Sequence, residues 1–128
     1  MRANSEKVRN HIGSIPIEKT KFMISLVPEG KNYKALPEEY QGIYKYHEAL
    51  TRYHSKKPSN TINTGHRSHF HYKWNRIPTV RESARLQSFP DDFIFYGNKS
   101  QQYKQVGNAV PPMLGQVVAK KLLEYLRG

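Results

Sequence analysis

The chain has no cysteine in its 128 residues. That removes disulfides, thiolate metal ligands and any thiol nucleophile that these residues could supply. Acidic residues are few, 10 against 21 Lys plus Arg, which leaves a formal charge of +11. Long apolar runs are missing as well. No stretch approaches the ~18 consecutive apolar residues of a membrane span, and the basic N-terminus is not followed by an apolar signal core. A membrane partner is therefore not expected, and a cytoplasmic location is the default expectation. Repeats and low-complexity segments are absent too.

At this length the chain is one domain, or part of one. A complete cofactor-dependent enzyme would be tight at this size. The positive charge favours a polyanionic partner, most often nucleic acid, the alternative being a solvated basic surface that touches nothing in particular.

The pattern along the chain predicts an α+β fold with short strands and flanking helices. Residues 1–10, MRANSEKVRN, are polar and expected to be flexible. IEKTKFMISLV from Ile17 to Val27 reads as a helix, with a strand as the alternative, and ends at Pro28 and the turn-like Glu29-Gly30. A second helix is expected to start at Pro37, with Glu38 and Glu39 in its first turn, and to run to about His54, although Gly42 weakens it. SNTINT and SHFHYKW read as short strands joined by loops. Thr79 and Glu82 have the spacing of a capping box, which opens a helix to about Ser88 that stops before Pro90. FIFYG reads as a short strand. The last helix enters through Pro111 and Pro112, and Met113, Leu114, Val117, Val118, Leu122 and Leu126 form one apolar stripe on it.

Two stretches are more specific. RIPTVRESARLQSFPDDF begins at Arg76, and SQQYKQVGNAVPP follows from Ser100 ahead of the amphipathic helix. Together they resemble the last two sequence motifs of DNA (cytosine-5) methyltransferases. LVPEGKNYKALPEEY is similar to that family's Gly-Gly-Asn-Trp-x-x-Leu-Pro segment, with Lys31 in place of the second Gly and Tyr33 in place of Trp. KKPSNTINT resembles its Pro-x-x-Thr-Ile element, and HYKWNR its His-Pro-x-x-Asn-Arg approach. The resemblance runs over about residues 10 to 126, with five elements in the family's order.

The resemblance implies a target-recognition region over residues 11–105. It also implies that residues 106–128 hold the last motif and a helix that packs on a cofactor-binding domain. Double-stranded DNA is the expected partner and S-adenosylmethionine the expected cofactor, shared with a catalytic domain or subunit. Between Tyr44 and Arg76 the basic residues are Lys45, Arg52, Lys56, Lys57, Arg67, Lys73 and Arg76, with Glu48 the only acid. Of these, Lys56, Lys57, Arg67, Lys73 and Arg76 are expected at DNA, mostly on phosphates. Asn60, Asn63, His66, His69 and Asn75 are interleaved with these cations and could read base edges, with Asn63 and His66 expected at DNA. Thr61 would lie beside the target phosphate by resemblance, an ordinary strand Thr being the alternative. Phe89, Asn108, Ala109 and Val110 are expected at the cofactor, with Gly107 allowing a tight turn and close backbone approach. Without the resemblance, GNAVPP is a plain helix-entry turn.

Thr79, Arg81, Glu82 and Arg85 are expected to be structural: an ion pair and cap at the helix start, with Arg85 in the same polar network. His66, His69 and His71 suggest no metal, because zinc sites usually add Cys or a second His pair at helical spacing. The nine Tyr and Trp74 read as core and interface groups rather than stacking platforms.

The family attacks cytosine C6 with the thiolate of a Pro-Cys dipeptide, aided by Glu-Asn-Val, and binds its cofactor through a Gly-rich turn. None of these motifs occurs in the 128 residues, so no catalytic residue is expected here. The leading expectation is the recognition and pocket-closing portion of such an enzyme, either a natural subunit of a split enzyme or a truncated product. A bacterial or phage-like restriction-modification setting is the family's usual context. The apolar stripe of the last helix is expected to dock on the Cys-bearing partner or on a second copy of the chain. The alternative class is a non-enzymatic DNA-binding or regulatory module, and a third is a generic basic RNA-binding protein.

Overall fold

The computed structural model describes residues 8–44, 49–65 and 68–128. Its elements are α1 (Glu18–Ser25), a short 3-10 turn (Tyr33–Ala35), α2 (Glu38–Gln41), β1 (Thr51–Arg52), β2 (His69–Phe70), α3 (Val80–Leu86), α4 (Lys99–Asn108) and α5 (Pro112–Arg127). The described chain is thus mostly helical, with one parallel strand pair in the register Thr51 to His69 and Arg52 to Phe70. An isolated antiparallel bridge joins Ser14 to Ile77. No helix among the described residues is long and apolar enough to cross a membrane.

Two apolar clusters hold these pieces. Met23, Ile24, Val27, Leu36, Leu50 and Phe70 form the first, beneath α1 and the strands. Ile62, Val80, Ala84, Phe95, Tyr103 and Val106 form the second, between α3 and α4. Ile77 packs on both and joins them.

A buried arginine braces each cluster. Arg52 is 6 % exposed, and its guanidinium donates to the carbonyls of Ile24, Val27 (2.8 Å) and His71 (3.2 Å) and to Asn75 Oδ1 (2.7 Å). Arg81 is fully buried and donates to the carbonyls of Arg9 (3.1 Å), Pro90 (2.9 Å) and Phe93. Several acceptors per guanidinium offset the cost of taking the charge out of water.

Several expectations need correction. The helix from Pro37 ends at Gly42 rather than near His54. Thr51 and Arg52 join a strand instead, with the Thr51 N–H on the Ser68 carbonyl (2.9 Å) and the Tyr53 N–H on that of Phe70 (3.0 Å). Of the two strands expected between Ser59 and Trp74, only His69–Phe70 forms. FIFYG is not a strand. Phe95 is buried there, and its ladder partner is a side chain: Asn10 Oδ1 accepts from the Phe95 N–H (3.1 Å) while Asn10 Nδ2 donates to the Phe95 carbonyl (2.8 Å). Asn10 thus belongs to the fold, whereas residues 1–7 of the expected flexible terminus lie outside the described residues.

The Gly107-Asn108 pair is no tight turn either. It lies in the last turn of α4, a helix opened by a capping box between Asn98 and Gln101. α5 forms as expected, with Pro112 in its first turn. Its stripe is exposed, from 51 % at Val118 to 78 % at Leu126.

Candidate nucleic-acid interface

Two distant segments are pressed together around Gly107. A Cβ built there would lie 2.7 Å from the Asn63 carbonyl carbon and 2.8 Å from the Thr64 nitrogen, both backbone atoms. Only glycine admits this approach. Ile62 and Val106 are buried in the same cluster, so the extended chain at 61–63 sets Ile62 inward and leaves Thr61 exposed. The result is an open cleft of about 370 Å³, lined by Asn60, Thr61, Gln87, Gly107, Ala109 and Pro111 among others.

The segment after α3 is tied to the same place. Gln87 Nε2 donates to the Val106 carbonyl (3.1 Å), and Ser88 Oγ accepts from the Met113 N–H (3.2 Å). Phe89 follows directly. Its ring is half-buried and lies 5.0 Å from that of Phe93 and 5.1 Å from that of Phe95. Asn108 is exposed, Ala109 half-buried and Val110 65 % exposed. Gln87 and Ser88, just before Phe89, therefore tie this segment to both helices that residues 108–110 connect.

α3 carries the polar frame behind the cleft. Thr79 Oγ1 accepts from the Glu82 N–H (3.1 Å), and Glu82 Oε2 accepts from the Thr79 N–H (2.7 Å), a reciprocal cap. The ion partner of Glu82 is Arg76, not Arg81, through two bonds of 2.7 Å. Arg85 is outside this pair and holds Asp91 through two bonds of 2.8 and 2.9 Å.

Burial alone would raise the Glu82 carboxyl, but the bonds from Arg76 and the Thr79 N–H outweigh it and hold the pKa at about 2, below the ordinary 4.5. Because the folded value is depressed, the stabilisation is full above pH 4.5 and fades as the pH falls toward 2. At ~1.4 kcal/mol per unit, discounted for partial exposure and screening, this amounts to about 1–2 kcal/mol. Wild type is expected to exceed Glu82→Gln in urea stability at pH 7, with the gap closing between pH 4.5 and 2. A gap that is constant across that range would refute the linkage. Tyr103, in the same core, is pushed up to about 12 by burial and then by the nearby Glu82 charge.

The candidate DNA residues do not all share the Gly107 cleft. Asn63 packs its backbone against Gly107 and lines a separate small pocket with Ile62, Gly65, His69 and Tyr103. Lys56 and Lys57 are exposed just before it, and Lys57 and Ser59 line a neighbouring cleft with His71, Tyr72 and Arg85. Lys73 is exposed with its ammonium 5.0 Å above the Trp74 ring, which is itself 54 % exposed and no core group. Arg76 is engaged by Glu82 and Arg52 by backbone carbonyls, so their charges serve the fold here. His66 and Arg67, with Lys45 and Glu48, lie outside the described residues. His71 Nδ1 accepts from the N–H groups of Lys73 and Trp74 (3.1 and 3.2 Å), which shapes that loop. No group of three potential metal ligands occurs among the described residues.

Comparison with known proteins bears on what this cleft serves. The family model for C-5 cytosine-specific DNA methylases matches residues 3–124. A type II methyltransferase of Haemophilus parahaemolyticus is 48 % identical over 101 residues, covering 79 % of this chain and 27 % of the relative. One from Neisseria gonorrhoeae is 40 % identical over 111 residues, covering 83 % and 30 %. One from Desulfomicrobium norvegicum is 31 % identical, covering 98 % of this chain and 35 % of its own length. The chain thus spans about a quarter to a third of the length of these relatives.

Proposed function

Since the chain belongs to the C-5 cytosine-specific DNA methylase family, we propose that it is the DNA-recognition and cofactor-pocket-closing portion of a cytosine-5 DNA methyltransferase of the type II restriction-modification kind. The single observation that carries this reading is the Gly107 junction. It sets Thr61, the phosphate-side candidate, on the same cleft as the turn expected to border the cofactor. A methyltransferase needs those two functions side by side, because a target base must leave the stack to reach the methyl donor.

The residues fit one edge of a cofactor site. Asn108 and Val110 are accessible where α4 ends, and half-buried Phe89, packed on the cluster that holds Val106, would supply an apolar surface. S-adenosylmethionine, the methyl donor of the family, supplies an electrophilic methyl group when bound. The work of this chain is then to position: Lys56, Lys57 and Thr61 hold the strand, and the rigid α3–α4 pair fixes Asn108 relative to it. The exposed stripe of α5 is the surface on which a Cys-bearing domain or subunit would dock, since an apolar patch of this extent marks an interface.

Binding to duplex DNA tests the reading. If about five phosphates are neutralised, log affinity falls with log salt at a slope near −4 to −5. Lys56→Ala combined with Lys57→Ala is expected to make the slope shallower by about 2. Affinity that is flat from low to physiological salt contradicts a DNA role. Binding confined to single-stranded RNA would favour the generic RNA-binding reading instead.

A further inference from the structure

On the other side of Asn60 lies a second, larger cleft of about 590 Å³, lined by Gly30, Lys31, Asn32, Lys34, Thr51 and Asn60 among others. Its described lining residues include two lysines, two asparagines and a threonine, and no carboxylate. Glu29, the carboxylate nearest in sequence on the N-terminal side, accepts from the Ser55 N–H and lies 3.8 Å from His54 Nδ1.

The wall that carries the lysines is fixed. The Gly30 N–H donates to the Arg52 carbonyl (3.1 Å), the Arg52 N–H to the Lys31 carbonyl (2.9 Å) and the Tyr33 N–H to the Ala49 carbonyl (3.2 Å). Segment 30–33 is therefore laced onto Arg52 of β1 and onto Ala49 just before the strand. Gly30 has φ +74°, and a Cβ there would meet His54 Cδ2 at 2.7 Å, so a side chain at the corner that places Lys31 would be strained. Asn32 Oδ1 accepts from the Lys34 N–H (3.2 Å) and caps the turn that follows. Lys31 stands where the resembled family segment has its second glycine, so this cation is a departure of this chain from that pattern.

We propose that this cleft holds a phosphate of the same DNA strand that passes Thr61, with Lys31 and Lys34 as its cations and Asn60 as the shared wall between the two clefts. The inference rests on the DNA reading above and extends the footprint to a second backbone position. With the backbone of the wall already fixed, only the lysine side chains remain to be ordered on binding. A contact to phosphate adds affinity without adding sequence preference.

The test is fluorescence anisotropy of a labelled duplex across 50 to 200 mM KCl, with folds matched by circular dichroism. Lys31→Ala with Lys34→Ala is expected to reduce the salt slope by about 2, so affinity falls roughly tenfold less over that range than for wild type. Lys31→Arg with Lys34→Arg is expected to keep the wild-type slope. Lys19→Ala with Lys21→Ala removes the same charge from α1 and is expected to leave the slope unchanged. A wild type that binds steeply, with no shift in the Lys31/Lys34 pair or an equal shift in both alanine pairs, overturns this inference alone. A wild type without salt-dependent duplex binding overturns the reading beneath it as well.

Discussion

Replacing Gly107 with alanine is expected to destabilise the protein by about 1–3 kcal/mol. The same change at Gly115 is expected to stabilise it by about 1 kcal/mol. Both glycines are helical, one in α4 and one in α5, so propensity alone favours alanine at each. The difference lies in the surroundings. A Cβ at Gly115 meets nothing within 4 Å, whereas one at Gly107 would sit 2.7–2.8 Å from the backbone of Asn63 and Thr64. Backbone atoms cannot swing aside as a flexible side chain does, so α4 and the 61–64 segment must part. Thr61 then loses its place beside the link between α4 and α5. Duplex affinity of the Gly107 variant is expected to fall with stability, while Gly115→Ala binds as wild type. Urea denaturation of the two single variants decides it. Equal signs at the two positions would mean that the junction is not tight.

The junction was partly legible in the sequence. Close backbone approach at Gly107 follows from a small residue in a motif, but the partner, Asn63-Thr64, is more than forty positions away and no local pattern names it. Helix starts were readable where side chains cap them, as at Thr79 and Glu82. Asn98 and Gln101 cap α4 in the same way, but polar residues dominate SQQYKQ, so no apolar periodicity marks that helix.

The failures have a common physical origin. FIFYG has strand composition, yet its pairing groups are taken by side chains: Asn10, 85 positions away, holds Phe95, and Arg81, Gln105 and Gln102 bond the carbonyls of Phe93, Tyr96 and Gly97. Residues beyond Gly42 look helical until Thr51 and Arg52 find parallel partners at His69 and Phe70. The arginines show the same limit. Arg52 and Arg76 count as positive charge in a list of residues, but carbonyl groups and Glu82 claim them once the chain folds. The exposed lysines Lys31, Lys34, Lys56, Lys57 and Lys73 are the cations left for the proposed interface.

The largest effect is expected in methyl transfer itself. Attack on cytosine C6 needs a nucleophile within reach of the flipped base, and without it the covalent route is closed, whatever the quality of DNA binding. These 128 residues contain no thiol, and in the proposed reading the Gly107 cleft and the exposed α5 stripe are the surfaces that a catalytic partner would complete. Activity should therefore be conditional rather than weak. The direct measurement is incorporation of labelled methyl groups from S-adenosylmethionine into duplex DNA by the purified chain, with and without a polypeptide carrying the Pro-Cys, Glu-Asn-Val and Gly-rich motifs. The account predicts no label above background for either polypeptide alone and clear incorporation when both are present, reduced by Asn108→Ala with duplex binding unchanged. Methyl transfer by the 128-residue chain alone would contradict it.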